Sequence, residues 1–168
     1  MENSEVFDVI IIGGGLAGLT CALQLGGAFN VLMIEKDTFP QHKVCGEYVS
    51  NEILPFLKSL NIDPMELGAK VITDLEITTH SGKKIHSTLP LGGFGISRYA
   101  LDQALFDEAK KICTTMEQSV VGVHFSEDQF TVTTKNDSIF RGRYVIGAFG
   151  KRSNLDKSLD RSFIQQKS

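Results

Sequence analysis

The sequence predicts an α/β domain built on a parallel sheet, with a β-meander and an inserted β-hairpin. Three observations point there. Residues 7–12 form a short run, apolar but for Asp8, that meets Gly13-Gly-Gly-Leu-Ala-Gly18 at once, as a strand buried on both faces feeds a turn. An apolar helical face and a second apolar run, residues 31–35, complete a βαβ unit, whose right-handed crossover sets the two strands parallel. From residue 115 onward, short alternating runs replace helical periodicity and end in an apolar run at 144–149 that reads as a strand returning to the sheet.

Each element has its local cause. Leu16, Leu19, Ala22 and Leu23 recur at three- and four-residue spacing, so the first helix follows the glycine turn and Gly26-Gly27 stops it. A polar, irregular stretch at 36–48, containing Pro40, interrupts the alternation of strand and helix. Ser50 caps a helix reaching about residue 60, which Pro55 bends or starts late, and Asp63-Pro64 opens another short helical turn. Residues 71–80 and 84–89 read as an antiparallel hairpin across Ser81-Gly82, and Gly92-Gly-Phe-Gly95 breaks that pattern. Ser97 then precedes Leu101, Ala104, Leu105, Ala109 and Ile112, an amphipathic helix. The meander occupies 118–125, 129–134 and 138–141, with turns between, and the last eighteen residues are polar with no packing face.

Composition narrows the function classes. In 168 residues, 42% are apolar and 22% charged, the balance of a globular domain that buries about two-thirds of its unfolded surface without staples. Seventeen Lys and Arg against 20 Asp and Glu, with no basic block, argue against nucleic acid as a partner. Cys21, Cys45 and Cys113 are odd in number and widely spaced, which fits a reducing compartment rather than a disulfide framework or zinc site. The start is acidic and no run approaches the roughly 20 apolar residues of a spanning helix, so a cytoplasmic protein without stable membrane insertion is expected. Oligomeric state is not legible.

The glycines carry the chemistry. Gly13, Gly15 and Gly18 satisfy G-x-G-x-x-G, and the backbone around Leu16 and Ala17 opens a helix whose unpaired N–H groups and dipole favour a diphosphate. Glu35 stands at the end of the second strand, where a carboxylate accepts both hydroxyls of an adenosine ribose and repels a 2′-phosphate. FAD or NAD is therefore expected over NADP, with Lys36 beside the same strand end.

Three further segments carry a resemblance. The break after Glu35, the inserted hairpin, the long helix after Arg98 and the meander resemble the Rossmann-like FAD domain of the flavoproteins that include the aromatic hydroxylases and glutathione reductase. Pro40-Gln-His-Lys-Val-Cys-Gly46 is similar to the P-x-x-K-x-C-G stretch of geranylgeranyl reductases. Arg98-Tyr-Ala-Leu-Asp102 resembles their R-x-x-L-D, and Gly147-Ala-Phe-Gly-Lys-Arg-Ser153 their G-A-D-G-x-x-S. The resemblance implies FAD as cofactor, with Arg98 along its phosphates or ribityl chain. It also implies Lys43 near phosphate, Cys45 and Gly46 near the flavin ring, Val121 beside the adenine and Gly150 in the closing segment. Arg98 as a plain surface arginine, Lys43 as a solvated lysine and Cys45 as a small hydrophobe stay open beside these roles. A cation at a helix start also asks for a compensating anion. Phe149 departs from the family's aspartate, so that FAD contacts are redistributed or affinity falls.

The expected organisation is a first FAD-binding part at 1–67, an inserted hairpin of a partial substrate domain at 68–97, and a second FAD-binding part at 98–168, incomplete relative to the family. By the resemblance, flavin hydride transfer reduces carbon-carbon double bonds of an isoprenoid or similar small apolar substrate, with NAD(P)H or another donor supplying electrons transiently. A monooxygenase or halogenase of the same fold, and a truncated non-catalytic nucleotide-binding module, are the alternatives. No metal site is expected, because His42, His80, His86 and His124 lack ligand spacing.

Overall fold

The computed structural model describes residues 2–150 and Leu155, with only the backbone of residues 2–4. The polar tail and Arg152-Ser153 of the third motif lie outside the described residues, Leu155 excepted. The elements run β1 (Glu2–Ile12), α1 (Leu16–Leu25), β2 (Val31–Glu35), β3 (Tyr48–Ser50), α2 (Leu54–Ser59), β4 (Lys70–Thr78), β5 (Lys84–Gly95), α3 (Arg98–Ile112), β6 (Thr114–Glu117), β7 (Val120–Ser126), β8 (Gln129–Thr134) and β9 (Ile139–Gly147). They divide into two units. Residues up to Phe39 with those from Leu105 on form one, and Pro40–Ala104 the other. The fold is the expected α/β, Rossmann-like FAD-binding type with a separate antiparallel sheet.

The first unit holds a six-stranded sheet in the order β6-β2-β1-β9-β8-β7. β6, β2, β1 and β9 are mutually parallel, and β8 and β7 continue the sheet antiparallel. Val9, Ile10, Ile11 and Ile12 of β1 and Val31, Leu32, Met33 and Ile34 of β2 are all buried, as central parallel strands covered on both faces require. One core cluster joins Phe7, Ile10 and Ile12 to Leu32, Ile34, Val132, Phe140 and Leu155. Of the expected apolar stripe on α1, Leu19, Ala22 and Leu23 are buried, and Leu16, at the open first turn, is half-buried.

Two sequence expectations change here. The runs at 138–141 and 144–149 are one strand, β9, antiparallel to β8 through Phe140 to Gly142 and parallel to β1 from Arg141 to Gly147. The exposed polar residues Arg141 and Arg143 made it look like two, yet the ladder with β1 holds on both sides of them, and the end expected to be buried carries the exposed Tyr144. β6 was read as the approach to the meander, yet it pairs in parallel with β2 from Leu32 to Glu35. Its residues Thr114 to Glu117 are a weak local strand signal, and the ladder offered by β2 makes them one.

The second unit is a three-stranded antiparallel sheet, β3-β5-β4. The hairpin closes where the glycine predicted it, with Thr79 N–H donating to the Lys83 carbonyl at 2.8 Å. Gly92 to Gly95 do not break the strand, contrary to the sequence reading: β5 runs through them. A Cβ on Gly93 would stand 2.5 Å from the Tyr48 ring and from the Val49 carbonyl, so glycine there admits β3 rather than ending β5. The helix capped by Ser50 begins as a 3-10 turn at Asn51–Ile53 and becomes α2 only at Leu54, the late start Pro55 implied. After Asp63, whose carboxylate accepts from Met65 N–H at 2.8 Å, the chain makes turns and no helix. β3 and α2 fall in the same unit as the hairpin, whereas the sequence reading set its boundaries at 67 and 97; the β3–β5 pairing groups them. Among the described residues, no helix is long and apolar enough to cross a membrane.

Candidate functional site: the glycine turn and the second-strand carboxylate

The turn after β1 assigns the three glycines of the G-x-G-x-x-G pattern different tasks. Gly13 has φ +109°, and a Cβ there would lie 2.4 Å from the Ala148 carbonyl oxygen, so the end of β9 presses against it. A Cβ on Gly18 would lie 1.8 Å from the Gly13 carbonyl oxygen, which brings α1 hard onto the turn. Around Gly15 the space is open, with nothing among the described residues within 4 Å of the same construction. Gly15 is also the residue that precedes α1, extended at φ −77° and ψ −176°, and no side chain caps the helix. The first N–H groups of α1, from Leu16, Ala17 and Gly18, therefore have no intrahelical acceptor. Open space thus lies next to unpaired donors at the positive end of a helix dipole.

Glu35 turns back toward this turn. Its Oε2 accepts the Gly14 N–H at 2.5 Å and its Oε1 accepts the Asp37 N–H at 3.1 Å. Each carboxylate oxygen keeps a further lone pair, so the group is oriented while still able to accept two ligand hydroxyls. Lys36 is exposed and pairs with Asp37 at 3.7 Å on the surface. A cavity of about 210 Å³ adjoins Glu35, between Met33, Thr115 and Met116 and the stacked rings of Phe39 and Phe106, whose centroids are 4.1 Å apart. Thr38 Oγ1 donates to the Glu117 carboxylate at its rim. Neither Phe39 nor Phe106 entered the sequence reading, since only the fold brings residues 67 positions apart into one wall. Val121 projects outward from β7, half exposed, while Val120 packs against the core.

Gly150 is exposed, at φ +74°. Phe149 packs against the core cluster, and its ring carbons would come within 2.8 Å of a Cβ on Gly147. The phenylalanine that replaces the family's aspartate is a core side chain here.

In the second unit, Arg98, Lys43 and Asp102 converge. Arg98 donates from Nε to Asp102 Oδ1 and from Nη2 to Oδ2, both at 2.7 Å, and Lys43 Nζ lies 3.5 Å from Oδ2. The Asp102 side chain is fully buried. The hydrogen bonds to Asp102 hold the Arg98 guanidinium above its ordinary pKa, against the opposing effect of burial, with the nearby Cys45 adding to the rise. The compensating anion at this helix start, which the sequence reading did not name, is therefore Asp102. An arginine and an aspartate four residues apart were the signal for it.

Cys45 and Gly46 lie exposed in the irregular loop, with Glu47 N–H donating to the Cys45 sulfur at 3.4 Å. Cys21 and Cys113 are half-buried, and burial pushes both thiols up in pKa. Thiol titration of the native protein near neutral pH should thus show one fast site, because only thiolate reacts. Replacing Cys45 by serine removes that fast phase; if the phase persists, another cysteine is the accessible one.

Residues 7–157 match the pyridine nucleotide-disulphide oxidoreductase family. The chain belongs to this family. Among individual relatives, the putative FAD-dependent oxidoreductase LodB of Marinomonas mediterranea is 37% identical over 62% of this chain and 29% of its own. The FAD-dependent monooxygenase janM of Penicillium janthinellum is 31% identical over 96% of this chain and 36% of its own. The flavin-dependent monooxygenase PieE, whose structure contains FAD and substrate, superposes with a TM-score of 0.76 at 20% identity, over 93% of this chain and 32% of that one. This chain spans about a third of the length of the curated relatives it matches. Their names are those of FAD-dependent oxidoreductases and monooxygenases, and geranylgeranyl reductase is not the name any of these three carries.

The residues present fit the ADP half of FAD. Open space at Gly15, uncapped α1 donors and a pre-oriented Glu35 are what a diphosphate and its neighbouring ribose require in this family.

Proposed function

We propose that the protein is an FAD-dependent oxidoreductase of the monooxygenase type, acting on a small apolar substrate. The observation that carries the reading is the open side of Gly15, the one glycine of the turn whose missing side chain faces none of the described residues. In this reading the N–H groups of Leu16 and Ala17 bind the diphosphate, Gly13 and Gly18 keep the turn tight enough to expose them, and Glu35 accepts the adenosine ribose hydroxyls. The cavity walled by Phe39 and Phe106 excludes water from the adenosine end. Lys43, Cys45, Gly46 and Arg98, in the other unit, are assigned to the flavin end by the resemblance alone, as are Val121 and Gly150 to their contacts. Bound FAD supplies two-electron chemistry, accepting hydride equivalents from a donor such as NAD(P)H and passing them on. The monooxygenase names of the relatives support oxygen insertion over double-bond reduction, and the Lys43-Val-Cys-Gly46 stretch is what keeps the reductase reading as the second one.

The test is spectroscopic. Purified protein should take up FAD, and the flavin bands should bleach anaerobically with NAD(P)H and return with oxygen. Oxygen uptake coupled to a hydroxylated product supports the monooxygenase, whereas anaerobic turnover that saturates a double bond supports the reductase. A protein that never quenches FAD fluorescence sinks both.

A further inference from the structure

We propose that Asp102 is a positioning residue that tethers the irregular loop at 40–47 to the first turns of α3 through Lys43. The loop has no regular backbone structure of its own before β3 begins at Tyr48, yet it carries Cys45 and Gly46. Besides Cys45, which lies near Arg98, two side chains bring it onto the start of α3. Lys43 Nζ reaches 3.5 Å from Asp102 Oδ2, and the His42 ring stacks on Tyr99 with centroids 4.6 Å apart. Asp102 can serve as a fixed anchor because both its oxygens are held at 2.7 Å by the Arg98 fork and its side chain is sealed from solvent.

The pair is poorly explained as helix stabilisation. Its arginine occupies the first residue of α3 and its aspartate the next turn, the order that opposes the helix dipole. A buried ion pair also gains little over apolar residues of the same volume, so its better-attested use is to specify one geometry. Here the geometry specified is where the loop lies. The inference stands without any cofactor; only its consequence for the flavin rests on the function proposed above.

Hydrogen exchange of the full chain tests it, with Asp102→Asn and Lys43→Met alone and combined. Each single change should raise exchange of the loop amides at least tenfold while leaving the β4–β5 hairpin and the glycine turn as they were, and the double variant should exchange no faster than Asp102→Asn. Lys43→Arg should restore protection. Lys43→Met keeps the Arg98–Asp102 pair, so it carries the test even if Asp102→Asn does not fold. Unchanged loop exchange, multiplying effects in the double variant, or loosening spread evenly over residues 40–104 would each overturn the tether. FAD affinity measured on the same samples separates the two readings: a loosened loop with unaltered affinity supports the tether and removes the loop from the cofactor's neighbourhood.

Discussion

Gly15→Ala should leave stability within about 1 kcal/mol of the parent protein, because its backbone is in a region open to alanine and the added methyl meets nothing. FAD affinity should nevertheless fall at least about 100-fold, the equivalent of about 2.7 kcal/mol, since that methyl fills the side from which a diphosphate reaches the α1 donors. Gly18→Ala is the contrasting case. Its Cβ would stand 1.8 Å from the Gly13 carbonyl oxygen, a backbone atom that cannot rotate away. Overpacking of this kind should cost about 3 kcal/mol and lower Tm by on the order of 10 °C. Thermal melts and FAD fluorescence quenching on the two variants separate what the turn does for the fold from what it does for a ligand. If Gly15→Ala binds FAD as tightly as the parent, the turn is not a phosphate site.

Removing the second-strand carboxylate has the other large effect. Glu35→Ala deletes two charged acceptors for the ribose, each worth about 1.5–3 kcal/mol, so FAD affinity should drop at least about 100-fold. Glu35→Gln keeps one acceptor oxygen and loses the charge, and it should fall between the two while tolerating a ribose 2′-phosphate better than the parent does. FMN, which lacks the adenosine, provides the control. Its affinity should be the same in all three proteins, and a parallel loss of FMN binding would mean that Glu35 supports the turn rather than the ribose. The Gly14 N–H donating to Glu35 Oε2 makes that control necessary, because the carboxylate belongs to the turn as well as to the ligand.

The parts of this molecule legible in sequence were those whose cause is local. β2 begins and ends where its apolar run does, and α1 starts at the residue after Gly15. The hairpin turn at Gly82 sits where its positive φ, +82°, makes glycine the natural residue. Elements that misled all depend on a distant partner. Gly93 resembles a strand breaker until Tyr48 and Val49 are beside it, and Thr114 to Glu117 acquire strand geometry from the ladder of β2. β9 looks like two pieces because the exposed Arg141 and Arg143 interrupt its apolar residues, while the ladder with β1 runs past them. Phe149 reads as a lost cofactor contact until it is found against the core.

Spacing along the chain was enough to determine a G-x-G-x-x-G turn between strand and helix, the carboxylate that ends the second strand and the parallel crossover between them, since each follows from backbone freedom, periodicity and charge within some thirty residues. Tertiary structure alone decided which glycine leaves room for a ligand, which anion faces Arg98 and which rings wall the cavity beside Glu35. Those outcomes depend on excluded volume and on pairs of charges brought together from remote segments, and neither quantity exists until the chain has folded.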